Sequence, residues 1–537
     1  MKVLLLDPTT TRIVSMVYSQ TQILEKEVYL VELLGKEHIP MNHLKALVFV
    51  QPTEANYDII SKELADPKFK EYHLFFSNIV PQDLLSRLAR QDEHELVMQV
   101  QEFYVDYMSV NRELFHLGLD NSLILSSSMT RTLESSALME KNLSGLSSVL
   151  LSMKKIPSAI RYQYSSEVCR RLANDMLTLL GRNDIFDFAR SESTLLLIVD
   201  RKDDPVTPLL TQWTYQAMVH ELLGLKHNRV VLKGAPNVPP DMEEVVLSAA
   251  QDDFFAKNYL ANFGDLGNSV KQLLDEYQKH TKKNESISSI EDMQNFLERY
   301  PDFRSKSINI TKHVTVISEL SRLVDVCKLL DISELEQEIA CSSDHNNHKL
   351  ELLKRIRSPL VKNADKLRLS ILYLLKYESY DEAREIKTAL AEKGLPSTQL
   401  GLLDAVLEYA GESKRTPGLF AGQGIFAKIS NSFTNVEGVQ NVYTQHQPLL
   451  SQTIANAVNG KIKDTQYPAL VVGGGTPQAS TRPTEIIVFV VGGTTYEEAA
   501  KVAEFNNANP GMRVLLGGSC ILNSKAFLEE VQKAYGR

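Results

Sequence analysis

Short apolar runs alternate with amphipathic stretches through the N-terminal part of the chain. Val3–Leu6, Ala46–Val50 and His73–Phe76 are such runs, and they predict buried strands separated by helices. That order is the layout of a parallel α/β domain. Beyond the third run, Pro81–Arg90 carries Leu84, Leu85, Leu88 and Ala89, a spacing that gathers apolar groups on one face of a short helix. The face is either core or a docking surface.

A second α/β unit is expected beyond Asn111. Gly145–Met153 and Ser165–Leu180 have helical spacing and lead to Thr194–Val199, a continuous apolar run that ends in Asp200. Strands of this kind are normally buried on both faces. From about Met242 to Tyr409 the periodicity is helical with few strand-like runs, which predicts a helical insertion. Strand signals return at Ile486–Val491 before Gly492-Gly493, and at Arg513–Leu516 before Gly517-Gly518. Strand, glycine turn and helix form the unit of a doubly wound sheet, so the C-terminal segment is expected to complete the second α/β domain. Gly411–Gly424 and Gly473–Pro483, rich in Gly, Ser, Thr and Pro, are expected to be mobile loops.

A length of 537 residues exceeds what one hydrophobic core usually serves, so two to four domains, or one fold with a large insertion, are expected. Apolar residues at 43% and charged residues at 23% fit a packed chain rather than a disordered one. The formal charge of −9 argues against general nucleic-acid binding, because the surface as a whole repels phosphate backbones. Cys169, Cys327, Cys341 and Cys520 lie far apart without a Cys-x-x-Cys, so neither a disulfide framework nor a zinc ribbon is supported, and a reducing compartment fits. The run Val3–Leu6 is cut short by Asp7-Pro8, which leaves too little for a signal-peptide core. No window approaches the roughly 20 apolar residues of a spanning helix, so contact with membranes is expected through partners.

Candidate chemistry is sparse. The glycine runs at 473–475, 492–493 and 517–518 lack the lysine of a P-loop and the spacing of a dinucleotide fingerprint. Thr495-x-x-Glu498 is instead a capping box, which sets an acid where a phosphate would otherwise sit. Asp200, Asp203 and Asp204 lie just past a strand end, where α/β enzymes place catalytic groups, and clustered carboxylates suit Mg²⁺. Arg201 and Lys202 lie among them and Pro205 and Pro208 stiffen the loop, so a salt-bridged, capped turn is the competing reading. Cys327, Cys341, His345 and His348 do not have zinc-finger spacing, and His345-Asn-Asn-His348 is expected to be a solvated loop between helices. No G-x-S-x-G elbow or HExxH occurs, and no cofactor is expected.

The most unusual segment is Asp200–Gly224, in which a Pro-bounded loop leads to a helix expected to carry the only tryptophan, Trp213, and to pack on the sheet. Asp200-Arg201, Asp204, Thr207-Pro208-Leu209-Leu210 and Trp213-Thr214-Tyr215-Gln216-Ala217-Met218 resemble the signature of the Sec/Munc (SM) family of SNARE regulators. The resemblance extends through Tyr72–Asn78, Ile160–Tyr162, Lys312–Arg322, Glu437–Gln447 and Ile486–Ala499, and is strongest to the subgroup acting between the trans-Golgi network and endosomes.

The resemblance implies a non-enzymatic protein folded as a three-domain arch of two parallel-sheet α/β domains with a large, mostly helical insertion. The expected boundaries are 1–110 for the first domain, 111–225 and 441–537 for the two segments of the second, and 226–440 for the insertion. It implies a syntaxin-family SNARE as partner, gripped by its N-terminal peptide and by its helical motif. The peptide pocket falls on Leu85, Leu88, Ala89, Glu102 and Phe103, although from spacing alone the leucines read rather as core. A SNARE-templating hairpin falls on Pro301, at its bend, and Val314, on its SNARE-facing helix. A proline inside a helical pattern breaks or bends it, so a switching hairpin and a plain loop both fit. Asp200, Arg201, Asp204, Pro208, Trp213, Tyr215 and Gln216 are implied to be structural. The chain is expected to be a monomer on its own, cytoplasmic, and peripheral to Golgi and endosomal membranes. Relatives usually carry a helix before the first strand, and the pocket is expected to survive without it. The rivals are an α/β hydrolase using the Asp200–Asp204 cluster and a passive syntaxin scaffold.

Overall fold

The computed structural model describes the chain apart from residues 38, 128–131, 183, 237, 283–300, 421–441, 474–481 and 537. The described chain divides into two compact units, Met1–Arg201 with Thr453–Thr494 and Val502–Ile521, and Lys202–Gln452 with Thr495–Lys501 and Leu522–Arg537. No described helix is long and apolar enough to cross a membrane.

The first unit opens with β1 (Lys2–Leu6), β2 (Val28–Leu33), β3 (Met41–Val50), β4 (Phe69–Phe76) and β5 (Val97–Glu102). They form one sheet in the order β2-β1-β3-β4-β5, parallel throughout. β1, β3 and β4 are the three apolar runs of the sequence. β2 and β5 stand at the edges, where one side faces water, so their sequences mix polar and apolar residues without a clear period. The core joins Val3, Leu5, Val48, Val50, Leu74 and Phe76 of the strands to Tyr57, Ile60 and Leu64 of the Glu54–Ala65 helix. Asp7, just past β1, binds the Thr10 amide at 2.7 Å, the Gln51 amide at 2.6 Å and Asn56 Nδ2 at 2.7 Å, pinning the strand ends together.

The described residues hold nine further strands: β6 (Met108–Ser109), β7 (Leu114–His116), β8 (Ile156–Tyr162), β9 (Arg190–Asp200), β10 (Arg229–Val231), β11 (Glu244–Val246), β12 (Ala469–Val471), β13 (Glu485–Val491) and β14 (Arg513–Gly518). Seven of them build the second sheet of the first unit, ordered β12-β8-β9-β13-β14-β7-β6. Its centre is parallel, and β13 is buried at every position between β9 and β14. The edges β12 and β6 are antiparallel, against the wholly parallel sheet expected. β6 and β7 are joined by a short turn, and such a turn returns the chain only in the opposite direction. Gly492 and Gly493 turn as expected, with φ of 91° and 105°. Gly517 and Gly518 do not: both lie in β14, where a Cβ on Gly517 would come within 2.0 Å of the Phe115 ring.

The second unit is helical apart from the β10–β11 pair. Its helices include Phe263–Lys282, Pro301–Val326, Leu329–Cys341, Asn363–Lys376 and Ser397–Ala410, with Ser524–Tyr535 packing on the last through Phe527 and Tyr535 around Tyr409. His345–His348 is not a solvated loop. It starts the His345–Arg357 helix, capped by Asp344, with His348 buried and bonded to the Tyr377 hydroxyl at 2.7 Å. Gly411–Phe420 is fastened rather than loose: Arg415 donates to Ala410 O at 2.6 Å and Leu375 O at 3.0 Å. The rest of Gly411–Gly424, the stretch 437–441 and most of Gly473–Pro483 lie outside the described residues.

Candidate functional site

The signature segment is built inward from buried polar groups. Asp204 accepts from the amides of Val206 at 3.2 Å and Thr207 at 2.9 Å and from the Thr207 hydroxyl at 2.6 Å, so it caps the turn opened by Pro205 and Pro208. Asp203 takes the amide and hydroxyl of Thr416 at 3.0 and 2.6 Å. Asp200, at the end of β9, accepts from the Ser166 hydroxyl at 2.6 Å, while its amide donates to Gln163 Oε1 at 3.0 Å. The three carboxylates thus work as hydrogen-bonded turn and strand-end groups. No group of three or more metal-ligating side chains occurs among the described residues. Arg201 and Pro208 are buried as well.

Past Pro208 the loop is clamped by helices. Glu336 accepts from the Thr211 amide at 2.6 Å and hydroxyl at 3.1 Å, Arg368 donates to Leu209 O at 2.6 Å, and Glu336 and Arg368 form an ion pair with almost no solvent contact. Burial pushes the Glu336 carboxyl up, and the guanidinium opposes it. Trp213 donates from Nε1 to Ser333 at 2.8 Å and packs at a tilt against Phe263 and Tyr443. It precedes the Tyr215–Leu222 helix rather than lying on it, and Tyr215 packs on helical residues, Phe255 and His313, where a sheet was expected. Gln216 is buried, and its amide donates to Tyr259 O at 3.0 Å.

The Pro301–Val326 helix, which carries the hairpin residues, meets this segment through His313. The described part of this helix starts at Pro301, and the preceding Arg299-Tyr300 lies outside the described residues. On this helix Ile308, Thr311 and Ser318 are exposed and His313 is buried; Ile317, one turn beyond His313, is half-buried on the inner face, and half-buried Val314 stands at the border of the two faces. Asp252, which caps the Asp253–Asn258 helix through the Phe255 amide at 3.0 Å, accepts from His313 Nε2 at 2.8 Å, from Asn309 at 3.0 Å and from Lys312. The Tyr215 hydroxyl lies 2.9 Å from His313 Nδ1. Burial pushes the His313 ring below its ordinary pKa, against the pull of Asp252, so the neutral ring donates to Asp252 and accepts from Tyr215. Burial would raise Asp252 too, but the bonds from His313 and Lys312 hold it below the usual carboxylate range. None of Asp252, His313, Glu336 and Arg368 was singled out from the sequence. The Asp-Asp at 252–253 before an apolar pair was an available N-cap signal.

In the first unit the pocket residues divide. Leu84 and Leu88 are core residues of the Gln82–Gln91 helix, Leu88 being 4% exposed. Leu85 and Ala89 form the neighbouring stripe, half-buried and exposed respectively. Glu102, at the end of β5, accepts from the Val80 amide at 2.7 Å and the Tyr104 hydroxyl at 2.8 Å, tying the edge strand to the start of that helix. Burial, reinforced by the Glu102 contact, pushes the Tyr104 hydroxyl up to about 12. Phe103 is the next residue, 43% exposed, with its ring 5.5 Å from that of Phe75. The side chains with apolar surface to offer here are Leu85, Ala89 and Phe103.

Residues 2–530 match the Sec1 family, and the chain belongs to that family. Vacuolar protein sorting-associated protein 45 from Rattus norvegicus and from Homo sapiens are each 44% identical over 537 residues, covering 99% of this chain and 92% of theirs. The solved structure described as SM protein Vps45 in complex with the Qa SNARE Tlg2 (1–310) superposes with a TM-score of 0.90 at 41% identity, covering 100% of this chain and 94% of its own.

Proposed function

We infer that the chain is an SM-type regulator of vesicle fusion that binds a syntaxin-family SNARE and promotes SNARE complex assembly in trans-Golgi and endosomal protein transport. The observation that carries this is the whole-length match, in sequence and fold, to a relative solved with a Qa SNARE. The chain catalyses no reaction of its own. The carboxylates that the hydrolase alternative would use, Asp200, Asp203 and Asp204, are each engaged in hydrogen bonds.

The peptide pocket is proposed at Leu85, Ala89 and Phe103, with Glu102 fixing the edge strand and Leu88 supporting the helix from the core. The surface that the first three leave open supports the assignment. The templating hairpin is proposed to use Pro301 and Val314, supported by the half-buried position of Val314 at the border of the outward face of the Pro301–Val326 helix. The division into domains 1–110, 111–225 with 441–537, and 226–440 is proposed on the same family likeness, as are a monomeric free state and a peripheral location on Golgi and endosomal membranes.

The physical mechanism is templating. A SNARE helix held on an apolar stripe, with its peptide tethered elsewhere on the same protein, meets its partners at a raised effective concentration. Reconstituted liposome fusion with endosomal SNAREs tests this. The chain should accelerate lipid mixing, and syntaxin binding without any change in rate would reduce it to a scaffold.

A further inference from the structure

Asn309, Lys312 and His313 occupy positions i, i+3 and i+4 of the Pro301–Val326 helix, so their side chains share one face. All three converge on a single carboxylate, that of Asp252, with His313 and Asn309 at 2.8 and 3.0 Å. Lys312 also donates to Val246 O at 3.2 Å, on β11. From the other side the signature residue Tyr215 closes on His313 at 2.9 Å, with Phe254 packed against the same ring at 4.5 Å. The carboxylate thus ties the Asp253–Asn258 helix to one turn of the hairpin helix, and the Lys312 and His313 side chains it holds reach β11 and the signature segment in turn. Apolar packing alone allows a helix to slide or roll over its neighbours at small cost, whereas a buried, fully bonded polar network permits one register.

We propose that Asp252 is a positioning residue for SNARE assembly: through Asn309, Lys312 and His313 it fixes the rotation and register of the hairpin helix, and so the angle at which Val314 and its neighbours meet a SNARE. This rests on the templating function above. The anchored turn lies next to Val314 in sequence, so a lost anchor disturbs the setting of that side chain directly. Asp252 is itself buried and acts only through these side chains.

The test separates the anchor from the helix cap. Asp252→Ser keeps an N-cap oxygen for the Phe255 amide but is too short to reach Lys312 and His313. In the full chain, amide hydrogen exchange over residues 309–316 should quicken in Asp252→Ser at least tenfold more than that of Asn363–Lys376, with the thermal midpoint lowered but the chain still folded. Acceleration of SNARE assembly should fall at least fivefold while affinity for the syntaxin N-terminal peptide holds. Asp252→Asn, which keeps an acceptor oxygen for Phe255 and Asn309 but turns an amide NH2 toward Lys312 and His313, should recover only part of both. Lys312→Met provides an independent variant and should show the same local loosening to a smaller degree. Unchanged exchange at 309–316, or equal quickening in every helix, overturns the anchor even if the unmodified chain accelerates assembly. Local quickening in a protein whose unmodified form does not accelerate assembly overturns the templating function and with it the role given to Asp252.

Discussion

The Thr211 amide donates to Oε2 of Glu336 at 2.6 Å, across a carboxylate that also meets the Arg368 guanidinium directly. This relationship explains why the signature is polar yet buried: the loop's own amides cannot be satisfied by sheet or helix, and two helices supply the missing groups.

Removing one charge should therefore cost more than removing both. Arg368→Met leaves Glu336 buried without its countercharge and should destabilise the fold by about 3–5 kcal/mol. Adding Glu336→Leu should return part of that loss, limited by the bereft Thr211 amide. Urea denaturation of the two singles and the double measures the coupling, and strictly additive costs would contradict it.

In the Gln82–Gln91 helix, neighbouring leucines should have opposite phenotypes. Leu88→Ala opens a cavity in the core and should cost about 2–5 kcal/mol. Leu85→Arg should leave the unfolding midpoint nearly unchanged and weaken syntaxin-peptide binding at least tenfold, because it puts a charge in an apolar contact. Fluorescence anisotropy with a labelled peptide reads the binding, and unchanged affinity in the folded variant would remove Leu85 from the pocket.

Gly517→Ala sets a methyl group against the Phe115 ring, which stacks on Phe489 at 6.4 Å. The ring must move, and overpacking of this kind costs about 1–3 kcal/mol. Thermal unfolding should show it, and a variant as stable as the parent would mean that β14 tolerates a side chain there.

His446 is buried and His220 half-buried, and desolvation lowers each to about 4. The unfolded chain takes up their protons near pH 6.5 while the folded chain resists until about 4, so stability is full above 6.5 and falls as the pH drops through that window. Each contributes up to roughly 3 kcal/mol to the fall. Denaturation midpoints from pH 7 to 4.5 should decline, and His446→Gln should flatten the slope; a slope unaltered by that variant would contradict the assignment.

The parts of the fold legible in the sequence were those with a strong period. β1, β3, β4, β9 and β13 are apolar runs, the last buried at every position, and the capping box at Thr495 and Glu498 forms with bonds of 2.9 and 3.2 Å. The edge strands β2 and β5 were missed because an exposed side erases alternation. The histidines at 345 and 348 were misassigned because a polar run reads as a loop until its partners, Tyr377 and Glu382, are brought near by folding. For the same reason Leu85 and Leu88 could not be told apart: which stripe of a helix meets the core is settled by the sheet beneath it. The anchor on Asp252 joins residues about sixty positions apart, a separation that no local pattern spans.

The most direct test of the central claim is calorimetric titration of the chain with the cytoplasmic domain of an endosomal or trans-Golgi syntaxin, with and without its N-terminal peptide. Saturable binding that weakens when the peptide is deleted is the predicted result. Absence of heat with every syntaxin of that system, from a folded protein, would contradict the account.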